Sequence, residues 1–177
     1  MALVTRENTL SSKQLFEGHI ISLRQDILKM ADGTTVTREV VEHNGGVVIA
    51  CQPRPEQVIL IEQYRYPLDK TIIELPAGRI EVGEDPLVCA RRELTEETGY
   101  TAQSWQELAR FYSAPGFCNE LLYLYRATDL SFQGKNLDAD EETEVLILPL
   151  EKAWQLVTTG GIQDAKTIAG LALLKNG

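Results

Sequence analysis

The sequence is poor in the residues that build several common kinds of site. It holds three cysteines and two histidines in 177 residues. Cys51, Cys89 and Cys118 are widely spaced, odd in number and form no C-x-x-C pair. That spacing argues against a cysteine-built metal site and points to a reducing compartment, with all three read as small buried or half-buried thiols. His19 and His43 stand alone and are read as structural. No segment approaches the ~20 consecutive apolar residues of a membrane helix. The opening MALVTRENTLSSK also lacks the apolar stretch of a signal peptide, so a cytoplasmic protein with no membrane partner is expected. Positive charge is scarce as well: 17 Lys and Arg stand against 26 Asp and Glu, giving a net charge of −9 with no basic block. A nucleic-acid polymer is therefore not an expected partner, and a DNA-binding regulator would need a basic domain that the sequence lacks. There is no internal repeat and no low-complexity tract.

What is present is ordinary globular material, 44% hydrophobic and 24% charged, in a length that suits one domain with a small appendage. Residues 1–45 read as β. Short apolar stretches fill residues 15–30, Asp32-Gly33 is a hairpin signal, and TTVTREVVEH is rich in β-branched residues. This predicts a small antiparallel unit, with Gly45-Gly46 as the boundary to a main domain over 46–177. There VVIACQ predicts a buried strand, PRPEQ a turn, VILIEQYRY a second strand and TIIELPAG a third. Further on, one or two strands are expected within SWQELARFYS, a loop at APGFCNE, a strand at LLYLYRATDL and a polar acidic loop at 133–144. A buried strand at VLILPL, a short helix at EKAWQLVTTG and a terminal helix at DAKTIAGLALLKN complete the chain. Ile168, Leu171 and Leu174 share one side of that last helix. The class is α/β with a mixed sheet flanked by helices.

The densest chemistry lies in residues 78–100, GRIEVGEDPLVCARRELTEETGY. Asp85 suits an N-cap with Pro86 at the first helical position, and Gly99 suits the left-handed residue after the C-terminus. Leu87, Ala90 and Leu94 give the helix a narrow apolar stripe. Glu93, Glu96 and Glu97 then fall at i, i+3 and i+4 on one face, where like charges cost roughly 0.2–0.5 kcal/mol per pair. Arg92, four residues before Glu96, is placed to orient it. Taken alone, the trio fits either a solvated charged face or a site for a hard divalent cation, which prefers oxygen ligands.

The full pattern resembles the Nudix box, Gly-x5-Glu-x7-Arg-Glu-aliphatic-x-Glu-Glu-x-Gly-hydrophobic. Gly78, Glu84, Arg92-Glu93-Leu94, Glu96-Glu97 and Gly99-Tyr100 meet every specified position. The resemblance covers residues ~46–177 and implies the Nudix α/β/α sandwich, preceded here by the small N-terminal antiparallel β unit. It also implies a hydrolase of nucleoside diphosphates linked to another moiety, using Mg2+ (or Mn2+). Carried over by position, Glu93 and Glu97 look like metal ligands, Glu96 a ligand or a close neighbour of one, and Ala77 a backbone carbonyl ligand. Glu84 and Arg92 are expected to shape the site.

Three features resemble the ADP-ribose pyrophosphatase subgroup. Pro115 lies 16 residues beyond Gly99, where that subgroup has a proline; locally it is equally a loop proline fixing φ. Glu62-Gln63-Tyr64-Arg65 resembles an EQxR segment whose Arg contacts substrate phosphate, work that suits a planar bidentate fork; a surface ion pair is the alternative for Arg65. Glu74 either accepts a hydrogen bond from substrate or is a buried partner of Arg65. The acidic segment Asp138-Ala139-Asp140-Glu141-Glu142 matches a mobile loop, in which Glu141 would reach a metal and assist catalysis. Ala139 replaces a Glu tied to the catalytic base in some relatives, which leaves the base open among Glu141, Glu142, Glu96 and the metals alone. The N-terminal unit resembles one that exchanges across a two-fold dimer and helps to bind the adenine end, so a homodimer is expected. The implied reaction converts ADP-ribose, or a related nucleotide sugar, to AMP and a sugar phosphate. Rivals are a GDP-mannose or ADP-glucose hydrolase and a non-catalytic Nudix ligand sensor.

Overall fold

The computed structural model describes residues 4–134 and 143–176. These divide into two compact units. One comprises the residues through Gly45 with Tyr112–Leu121, and the other Gly46–Phe111 with the residues from Leu122 onward.

The first unit is a three-stranded antiparallel sheet, ordered β1 (Thr9–Glu17), β2 (Ser22–Lys29), β3 (Thr35–Glu42). The turn between β2 and β3 uses Gly33 at φ 86°, a left-handed conformation that costs glycine nothing, and Asp32 accepts the Thr34 N–H at 3.0 Å. Strand β1, absent as a distinct element from the sequence reading, is almost wholly exposed. The segment 112–121, read from sequence as a strand end and loop of the main domain, belongs with this sheet. The Val41 N–H donates to the Phe117 carbonyl at 2.8 Å, and the Asn119 N–H to the Val41 carbonyl at 3.2 Å. The Asn119 side chain then accepts the His43 N–H at 2.8 Å. Local strand propensity carries no record of such a distant pairing.

The second unit is a mixed seven-stranded sheet ordered β10-β5-β4-β9-β8, with β6 on β5 and β7 on β4. Its strands are β4 (Gly46–Cys51), β5 (Gln57–Arg65), β6 (Lys70–Glu74), β7 (Ala77–Arg79), β8 (Tyr100–Tyr112), β9 (Leu121–Phe132) and β10 (Thr143–Pro149). Strand β4 is buried on both faces, which explains its unbroken apolar run. Val47, Ile49 and Cys51 face helix α1 (Pro86–Thr98), where Ala90 and Leu94 are also fully buried. Val48 and Ala50 face the opposite cluster, formed with helices α2 (Leu150–Thr158) and α3 (Ala165–Asn176) through Ala153 and Leu171. Helix–sheet–helix layering follows, as in an α/β/α sandwich. Strand β10, expected to be buried, is half-exposed because it occupies the sheet edge. Among the described residues no helix is long and apolar enough to cross a membrane.

Candidate active site

Helix α1 starts and stops where the sequence places it. Asp85 accepts the Leu87 and Val88 N–H groups at 2.9 and 3.2 Å, and Gly99 closes the helix at φ 75°. The apolar stripe anchors one side of α1 to the sheet and turns the Glu face toward β7. Glu93 is 8% exposed and Glu97 2%. Gly78 makes this approach possible, because a Cβ there would stand 1.8 Å from the Glu93 carboxyl carbon. The Glu97 carboxylate accepts the Ala77 N–H at 2.9 Å, while its backbone carbonyl accepts from the Thr143 hydroxyl at 2.9 Å.

Arg92 gathers the remaining carboxylates. It lies 3.1 Å from Glu84, 2.7 Å from Glu93 and 2.9 Å from Glu96. Burial works against the Arg92 charge, but its hydrogen bonds to Glu84 and Glu96 and the Glu93 charge outweigh it and raise its pKa. Arg92 in turn holds Glu84 below the usual carboxylate range. Glu93 and Glu96 thus meet on one guanidinium nitrogen of Arg92. Among the described residues no three His, Cys, Asp or Glu side chains stand close enough together to hold an ion. Repulsion between the three is relieved instead by Arg92 and by the Ala77 amide.

Near this face Arg65, at the end of β5, donates its Nε to Glu74 Oε2 at 2.6 Å. Glu74 is 2% exposed and also receives Lys166, which lies 3.0 Å from Asp164. Burial tends to lower the Arg65 pKa, yet the Glu74 bond and the charges of Glu74, Glu97 and Asp164 hold it above its ordinary value. Glu74 is thus the buried partner of Arg65, the second of the two roles open in the sequence. Lys166 and Asp164 escaped the sequence reading because they follow the box by about 65 residues and match no motif position.

Residues 42–171 match the NUDIX domain, and residues 7–41 match the nucleoside diphosphate sugar hydrolase N-terminal domain. The chain belongs to the Nudix family. It is 38% identical to a methanol dehydrogenase activator of Bacillus methanolicus, over 99% of this chain and 96% of that protein. It is also 38% identical to an ADP-ribose pyrophosphatase of Bacillus subtilis strain 168, over 96% of this chain and 92% of that one. The crystal structure of an ADP compounds hydrolase superposes with a TM-score of 0.84 at 21% identity, covering 95% of this chain and 91% of the other, and shows the same fold.

Nudix hydrolases as a class use divalent metal ions, and the residues here suit one. The donors are carboxylate and carbonyl oxygens, the set that hard cations prefer. Two of the carboxylates are buried on a wall kept free of side chain by Gly78. A solvated helix face would bury neither. Glu97 thus meets the Ala77 amide, Glu93 lies against Gly78, Glu96 joins Glu93 on Arg92, and Arg65 pairs with Glu74. Pro115 belongs to the other unit, where it lines a cavity of about 440 Å³ with Arg24, Arg38, Tyr112, Phe117 and Asn119. The arginines of that cavity were missed because they lie on separate strands. Glu141 and Ala139 fall outside the described residues.

Proposed function

We propose that this Nudix hydrolase cleaves the pyrophosphate bond of ADP-ribose or a related nucleoside diphosphate sugar, giving AMP and a sugar phosphate, with Mg2+ or Mn2+ as cofactor. The observation that carries the reading is the pair of buried carboxylates, Glu93 and Glu97, held against the Ala77-Gly78 backbone. These two, with the Ala77 carbonyl and Glu96, would hold the metal. When bound, the metal supplies neutralisation of the diphosphate charge and a lowered pKa for an attacking water. Arg65 offers its guanidinium to a phosphate, and Glu74 serves substrate binding by orienting Arg65. The water proton passes to Glu96, Glu97 or Glu141, the new P–O bond forms, and the bridging P–O bond breaks. Pro115, which lines the arginine-containing cavity of the N-terminal unit, is read as a substrate-binding residue on the subgroup resemblance.

A unit of ~40 residues has too little core to stand alone, and the exposure of Leu10, Leu15 and Phe16 on β1 fits its packing against a second copy. We therefore propose a homodimer, tested by equilibrium sedimentation; a monomer at micromolar concentration would contradict it. Activity is tested with a panel of ADP-ribose, ADP-glucose and GDP-mannose, with Mg2+ and with Mn2+, and product analysis. Release of a nucleoside monophosphate supports the proposal. No release from any of the three would point instead to a ligand sensor.

A further inference from the structure

We infer that Lys166 is a positioning residue for substrate binding: through Glu74 it holds Arg65 with its terminal nitrogens kept for a diphosphate. The inference rests on the reading of Arg65 as phosphate anchor. Glu74 is buried, so its charge needs compensation. An Arg–carboxylate pair left to itself favours the bidentate arrangement, in which two guanidinium nitrogens meet both oxygens. Here the two oxygens are divided. Oε2 takes the Arg65 Nε at 2.6 Å, while Oε1 takes the Lys166 ammonium. With Lys166 competing for Oε1, Arg65 meets Glu74 through Nε alone rather than side-on. Its terminal nitrogens make no hydrogen bond among the described residues, and its side chain remains 35% exposed.

The placement of Lys166 is otherwise unfavourable. It is the second residue of α3, where the helix dipole opposes a cation, and its side chain is only 16% exposed. Two contacts fix it there. Asp164 lies 3.0 Å from its ammonium and also accepts the Thr167 N–H at 2.9 Å. The Thr167 hydroxyl accepts the Leu75 N–H at 2.8 Å, tying the first turn of α3 to the residue after Glu74. The spacing between Lys166 and Glu74 is therefore set by the neighbouring bond from the Leu75 amide to the Thr167 side chain, a support for the charged chain Asp164–Lys166–Glu74–Arg65.

The test is a double-mutant cycle read in KM and kcat with ADP-ribose and Mg2+, using R65A, K166M and the double variant, with K166R as the conservative control and melting temperatures alongside. Lys166→Met should raise KM about tenfold with kcat nearly unchanged, as expected when ground-state and transition-state binding weaken alike. Lys166→Arg, which keeps a cation at Oε1, should restore most of the loss. In the double variant the two effects should be far from additive, because both act on one phosphate contact. Additive effects, or an unchanged KM in K166M, would overturn the inference while leaving the Arg65 reading in place. An unchanged KM in R65A would remove that reading and the inference with it. Should K166M fail to fold, K166Q serves in its place, with the same outcomes required.

Discussion

Gly78→Ala isolates the role of the close approach between α1 and β7. Gly78 does not have a positive φ, so alanine meets no backbone strain there. The obstacle is the Glu93 side chain: the new Cβ would lie 1.8 Å from its carboxyl carbon, 2.0 Å from Oε1 and 2.3 Å from Cγ. An ordinary carbon–carbon contact is about 3.5–4.0 Å, so the carboxylate must retreat by well over an ångström. The clash is with the far end of a flexible side chain, which has somewhere to go. We therefore expect a modest stability loss, about 1–2 kcal/mol, within the range for overpacking. Activity should respond far more, since misplacing a catalytic group by about 1 Å can cost on the order of 10²-fold. The assay is kcat/KM for nucleotide-sugar hydrolysis beside calorimetric titration of Mg2+ or Mn2+ and a melting curve. A folded G78A protein with wild-type activity and metal affinity would refute the claim that Glu93 works from this position.

Three other variants probe the same face. Glu97→Gln keeps an acceptor for the Ala77 amide but removes the charge, so kcat should fall by several orders of magnitude while the melting temperature changes little. Asp85→Ala removes an N-cap that serves two amides; it should cost about 1 kcal/mol, or roughly 2–4 °C in melting temperature, with a small effect on turnover. Arg92→Met leaves Glu84, Glu93 and Glu96 without their shared cation and should destabilise the fold by about 1–3 kcal/mol at neutral pH. Part of that loss has a defined pH dependence. Arg92 holds Glu84 below its usual value of 4.5, so this stabilisation is complete above that value and fades as pH falls through the lower folded-state pKa. Melting curves of wild type and R92M from pH 7 to pH 3 should therefore converge at the acid end, and a gap that is unchanged or widens there would contradict the pairing.

The sequence was most legible where chemistry is local. Helix α1 could be read to the residue because Asp85, Pro86 and Gly99 act within one turn of the backbone they cap. Strands β4 and β5 were clear because burial on both faces demands unbroken apolar runs. Legibility failed where a residue's role depends on distant partners. The short strand β7 has three residues and exists only through its pairing with β4. The grouping of segment 112–121 with the N-terminal sheet rests on hydrogen bonds spanning more than 70 positions. In the site itself, residue types and helical spacing brought Glu93, Glu96 and Glu97 to one face. The same spacing set Arg92 against Glu96, but it could not reveal that Arg92 also reaches Glu84, that the Ala77 amide takes up Glu97, or that Lys166 meets Glu74 from the far end of the chain.

The central claim is that the buried carboxylates of α1 bind divalent ions that in turn bind a diphosphate. Its most direct test is anomalous scattering from a crystal grown with Mn2+ and a slowly hydrolysed ADP-ribose analogue. The account predicts manganese between Glu93, Glu97 and the diphosphate oxygens. A bound nucleotide with no metal at these side chains, at saturating Mn2+, would contradict it.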